Sequence, residues 1–190
     1  MAALPYGRSL AVVALAGLGL GFALSGARVA TWESLLPFFE WMETTPFGVV
    51  GKTWGAAFAT VQAFHLLSMA LLGGAVLASD GRVLGVVLRD VPLSTVQENC
   101  HRLFFWSLVV VVATGVFMAC GVAVKVYYLA VFWYKMLALV VGVLFTYIVR
   151  RPLVARADAV HPWTLRLVAV ASLMIWFSVA ATGRWIGFSG

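Results

Sequence analysis

Charge is scarce in this chain. Asp, Glu, Lys and Arg make up 11% of its 190 residues, against about 25% in an ordinary soluble domain, which excludes a water-soluble fold with a solvated charged shell. Cysteine is scarcer still, with Cys100 and Cys120 the two present. If they share one helix, their separation is ~30 Å at about 1.5 Å per residue, too far to pair. With no Cys-x-x-Cys motif either, a disulfide framework, thiol chemistry and c-type haem attachment are excluded. No carboxylate pair, nucleophile constellation or phosphate-binding glycine loop is present, so hydrolytic chemistry has no support. No basic run interleaved with aromatics is found, and the net charge of +6 speaks for topology and anionic lipid rather than nucleic acid.

What is abundant is apolar. Hydrophobic residues make up 63% of the sequence, which is the composition of an integral membrane protein. The fold class expected is all-α: a polytopic membrane helical bundle of about five transmembrane helices, four forming a core behind an N-terminal helix, plus one interfacial amphipathic helix. Residues 1–30 hold the apolar run 10–24 between Arg8 and Arg28. It reads as an uncleaved first span; Ser25-Gly26-Ala27 would be the cleavage site were it a signal peptide. Residues 31–190 form the membrane domain. Within it, 34–44 reads as a helix lying in the interface: Leu35, Phe38, Phe39 and Met42 recur at helical spacing, flanked by Trp32 and Trp41 as headgroup anchors. Thr45-Pro46 ends it.

The second span is the stretch around which the rest is organised. Residues 54–78 carry no formal charge over 25 positions, enough to cross a hydrocarbon core of about 30 Å. His65 sits within it, and the charged triplet Asp80-Gly81-Arg82 follows where water is expected to begin. A polar loop is expected over 79–101, a span from about Leu103 to Val122, a short turn over 124–128, a span from about Leu129 to Val149, and a last span from about Leu167 to Thr182. With the N-terminus cytoplasmic, eight Lys/Arg residues lie inside and four outside, with Lys135 dipping into the bilayer. The positive-inside rule then sets a cytoplasmic N-terminus and a periplasmic C-terminus.

An imidazole far from water must find a partner. His65 is therefore the candidate metal and cofactor ligand, against the plainer reading of a core histidine bonded to a neighbouring helix. Met174 lies about as deep in the last span and is the candidate second axial ligand. Gln62, one turn before, and Met69, one turn after, are candidates to hold the ring or line a pocket. Lys135 and Arg184 would form part of a cationic rim above it, suited to haem propionates, a quinone head or an anionic lipid, against plain snorkelling of Lys135 to phosphate. His101 and His161 stand at expected helix starts, too far along the membrane normal to share an iron with His65.

The segments FFEWMETTPFG, AFHLLSMALLGGAVLASDGRVLG, FWYKMLAL and SLMIWFSVAATGRWIGF resemble, in the same order, a family of small bacterial inner-membrane proteins known only as a domain of unknown function. That family's second element reads HxLGxALLxGxxxxxDLRLLG, matched by His65, Gly74, Asp80, Arg82 and Gly85, with Gly81 in place of the usual leucine. The resemblance covers about residues 36–188. The histidine helix is also similar, more loosely, to copper-resistance D-type and HemJ-type helical membrane proteins. The second of these implies haem b with histidine ligation.

The function expected is therefore a membrane b-type haem protein in electron transfer, working with quinone or as a subunit of a larger oxidoreductase with membrane or periplasmic partners. A cofactor-free anchor or assembly subunit is the alternative. Copper or small-solute transport ranks last, for want of Met/His clusters or an inverted repeat. On these grounds an accessory or electron-transfer subunit is expected rather than an independent enzyme, in the bacterial inner membrane.

Overall fold

A computed structural model describes residues 27–188, and among these the regular elements are all helical. The elements are α1 (Ala27–Thr44), α2 (Pro46–Thr53), α3 (Gly55–Leu84), α4 (Leu93–Gly121), α5 (Ala123–Tyr128), α6 (Ala130–Val154, containing a π turn over Phe145–Arg150) and α7 (Pro162–Ile186). Of these, α3, α4, α6 and α7 are long and apolar enough to cross a membrane. The further span expected over 10–24 lies outside the described residues.

Hydrocarbon offers backbone groups no partners, so each spanning segment closes its own hydrogen bonds as a helix. The outward faces are those of a lipid-exposed bundle: Phe64, Leu66, Trp106, Leu137, Ile148 and Phe177 are all exposed. Inside, α3 packs along α4, α6 along α7, and α3 also against α7. Leu72, Ala75, Val76, Phe104, Trp176 and Val179 meet there as the bundle core.

The helix ends correct the sequence-based boundaries. The polar loop expected over 79–101 shrinks to 85–92, because α3 runs on to Leu84 and α4 begins at Leu93. Asp80 therefore lies inside a helix, with its charge met by a partner instead of by water. What ends α3 is Gly85, in the left-handed region at φ 74°, open to glycine without strain. Val86 N–H donates to the Gly81 carbonyl at 2.9 Å and Gly85 N–H to the Arg82 carbonyl at 3.1 Å, the paired pattern of a Schellman cap. Arg82 Nε then donates to the Val91 carbonyl at 2.9 Å, pinning the loop. The spans expected at 103–122, 129–149 and 167–182 likewise lengthen to Leu93–Gly121, Ala130–Val154 and Pro162–Ile186. The turn expected over 124–128 is the helix α5.

At the opposite end, α1 and α2 fold over the bundle. The helix expected over 34–44 starts earlier, at Ala27, and stops at Thr44. Thr45 caps α2, its hydroxyl accepting from Gly48 N–H at 3.2 Å, and Pro46 occupies the first turn, where no N–H is needed. Phe39 and Trp32 of α1 pack on Tyr127 of α5, whose hydroxyl donates to the Trp32 carbonyl at 2.6 Å. Glu43 ties three elements together, accepting from Lys52 Nζ and, at 2.9 Å, from Val124 N–H. Lys52 holds its carboxyl below the usual range, against a smaller opposing effect of burial, and the Val124 amide lowers it a little further. Gly51 and Gly121 bring α2 onto the end of α4, where an added Cβ on Gly51 would lie 3.2 Å from Gly121 Cα.

Candidate functional site

His65 is buried at 7% exposure, on the face of α3 that packs against α4. Its ring is 3.3 Å from where a Cβ on Gly115 would stand, so that glycine gives the imidazole its space. Nδ1 lies 2.8 Å from Thr114 Oγ1. The Thr114 hydroxyl has one proton, and its oxygen sits 2.6 Å from the Val110 carbonyl. With that proton committed to the backbone, Oγ1 accepts from Nδ1–H, and Nε2 keeps its lone pair. This assignment follows from hydrogen bonding. Gln62, expected to hold the ring, is exposed; Thr114 takes that role from a neighbouring helix.

Lys135 projects from the second turn of α6. Its Cε and Nζ lie 3.3 and 3.4 Å from where a Cβ on Gly183 would stand. The ammonium forms no hydrogen bond or ion pair among the described residues. It borders a cavity of ≈ 210 Å³ between α3, α4, α6 and α7, walled otherwise by apolar side chains that include Met69, Leu72, Gly73 and Trp176. Leu77 and Phe177, 64% and 74% exposed, stand at the lipid-facing side of the same cavity. Of the candidates, the structure thus brings Lys135 and Met69 to one cavity with His65 nearby. Met174 does not line it and is 66% exposed. Arg184 is also exposed and lies over the Phe188 ring at 4.5 Å. No cluster of three or more His, Cys, Asp or Glu side chains able to hold a metal ion occurs among the described residues.

A second polar centre, which the sequence did not reveal, lies toward the other end of the bundle. Asp80 is fully buried and Arg150 9% exposed. Arg150 Nε donates to Asp80 Oδ1 at 2.5 Å. Its Nη2 donates to Ser79 Oγ and, at 3.2 Å, to Gln97 Oε1, while Gln97 Nε2 donates to the Ser79 carbonyl at 3.0 Å. Arg150 ends the π turn of α6, and Pro152 follows two residues on. A proline has no N–H for the helical ladder, and wider i→i+5 turns of this kind occur at functional sites. His101, expected at a helix start, is instead well inside α4, its ring 5.6 Å from that of Tyr147. Sequence offered one signal for this centre: two charges, Asp80 and Arg150, each next to an apolar run.

These features define a class, a helical membrane bundle with a cationic apolar cavity and a buried ion-pair network. The chain belongs to a family of unknown function, DUF6644, whose model matches residues 38–189. No curated protein and no solved structure gives a match.

Proposed function

We propose that the protein is a membrane electron-transfer subunit that binds a quinone in the Lys135 cavity. The observation that carries this reading is an unpaired ammonium on the wall of an otherwise apolar cavity. An ammonium withdrawn from water needs an acceptor or an anion, and a quinone carbonyl is such an acceptor on a lipophilic body. The cavity is smaller than the roughly 300–1,000 Å³ of pockets that enclose a drug-sized ligand. It suits one ring, with an isoprenoid tail leaving past Leu77 and Phe177 into lipid. Electrons would come from a partner oxidoreductase. Titration of the purified protein with a short-chain benzoquinone tests the reading. Lys135→Met should weaken binding at least about tenfold, the effect of losing a charge-assisted hydrogen bond of roughly 1.5–3 kcal/mol. Unchanged binding in that variant would leave Lys135 as a snorkelling residue.

A second reading, haem b at His65, is favoured by the fixed tautomer, since a ligating imidazole donates its other nitrogen to a hydrogen-bond acceptor. Lys135 would then meet a propionate. The match is to the imidazole and not to the cavity, which is small for a macrocycle, and Met174 faces away from it. The test is a dithionite-reduced spectrum: a b-type α-band that His65→Ala abolishes and His101→Ala and His161→Ala preserve. A colourless protein made with haem supplied would retire it.

The same proposal includes five spans, α1 lying in the membrane interface, and residence in a bacterial inner membrane with the N-terminus cytoplasmic and the C-terminus periplasmic. The pairing of Arg150 with Asp80 takes one charge from the inside tally of eight, and the remaining majority keeps the orientation.

A further inference from the structure

Two buried polar atoms lack a hydrogen-bond partner among the described residues, Asp80 Oδ2 and Ser172 Oγ. They belong to the same place. Ser172, 1% exposed on α7, lies beside the Asp80 carboxyl without reaching bonding geometry. It also lines a small cavity of ≈ 30 Å³ with Ser79, Gln97, His101, Thr146 and Arg150; Asp80 does not line it, so Ser172 is the residue that adjoins both. That volume holds one water, and the polar walls offer the two to four partners a buried water requires. His101 is half-buried and stands between the cavity and the helix surface.

We propose that this cluster is a proton-loading site, with Asp80 Oδ2 the atom that takes the proton, a single water in the cavity its source and the Ser172 hydroxyl the relay between them. Arg150 occupies Oδ1, so the carboxyl keeps one free oxygen. The transfer moves no electron: a hydrated proton from the aqueous side passes to the cavity water, the water protonates Ser172 Oγ as that hydroxyl gives its own proton to Oδ2, and the reverse sequence releases it. The charged and titratable neighbours are Arg150 from α6 and Cys100 and His101 from α4, with Arg151 near His101; α7 contributes the neutral Ser172. Arg82 is turned away to the Val91 carbonyl. The inference stands without the quinone reading. Where both hold, the proton has a destination, because Val76 and Trp176 line this cavity on one side and the Lys135 cavity on the other.

The test is infrared difference spectroscopy of the full chain in lipid nanodiscs, between neutral and acidic pH, in water and in heavy water. Wild type should gain a carboxylic-acid C=O band that shifts down in heavy water and is lost in Asp80→Asn. Ser172→Ala leaves the ion pair in place and should shift the band's frequency, which keeps the test decisive should Asp80→Asn not fold. A band that survives Asp80→Asn, one unmoved by Ser172→Ala, or a carboxylate that stays ionised until the helices unfold overturns the proposal.

Discussion

Asp80→Ala removes the carboxylate and leaves the Arg150 guanidinium buried, with Ser79 and Gln97 as its remaining partners. Breaking one side of a buried ion pair costs about 3–5 kcal/mol, most of it from the charge left behind. Because two neutral acceptors remain, the low end applies, about 3 kcal/mol. At about 2–4 °C per kcal/mol for a chain of this size, the melting temperature should fall by roughly 6–12 °C. Removing both charges in Asp80→Ala/Arg150→Met eliminates the stranded ion, so the double variant should be more stable than Asp80→Ala alone, with a coupling energy of roughly 2 kcal/mol. The assay is thermal unfolding of the four proteins in one detergent, followed by helical circular dichroism. An Asp80→Ala protein within about 0.5 kcal/mol of wild type, or two single effects that simply add, would refute the claim that this pair is desolvated and coupled.

Thr114→Val should cost about 1–3 kcal/mol, since it leaves a buried Nδ1–H without its acceptor; the same melting assay reads it, and His65→Leu/Thr114→Val should recover part of the loss. Glu43 gives a pH dependence outside the membrane. Its folded carboxyl is held below its unfolded value, so its stabilisation is complete above the ordinary glutamate range and is lost as pH falls through the lower folded value. Wild type should therefore lose more melting temperature than Glu43→Gln on acidification, and parallel curves would count against the bridge from Lys52 to Val124. Gly51→Leu should destabilise by about 1–3 kcal/mol through overpacking, because its side chain would enter the backbone of Gly121. Labelling of single cysteines should find Thr44 and Ser94 on opposite sides of the membrane, and the same side for both would refute a topology in which α3 crosses once between them.

How much could be read from sequence depends on whether a signal is local. The apolar runs that became α3, α4, α6 and α7 are local, because hydrocarbon forces each to satisfy its own backbone. Their ends were misplaced where a polar residue was equated with water. Asp80 reads from sequence as a loop residue and His101 as a helix start, yet α3 runs on through Asp80 and α4 begins eight residues before His101, since a charge met by Arg150 need not reach solvent. The partner stands 70 residues away, and nothing near Asp80 in sequence announces it.

His65 shows the same limit from the other side. Its need for a partner was legible, because an imidazole in an apolar run is costly wherever it falls. Gln62 was the natural guess, since residues three apart on a helix are neighbours. In the bundle, however, the face that carries His65 turns toward α4, and Gln62 lies on the exposed side. The bond went to Thr114, 49 residues on, whose own local bond to Val110 also fixes which imidazole nitrogen is protonated. A lone polar residue in a membrane helix thus advertises that a partner exists, while the identity of that partner is set by which helices pack together. Lys135 is for the same reason the informative residue of this chain: among the described residues its packed neighbours, Gly183 and the apolar cavity walls, leave the ammonium without an acceptor.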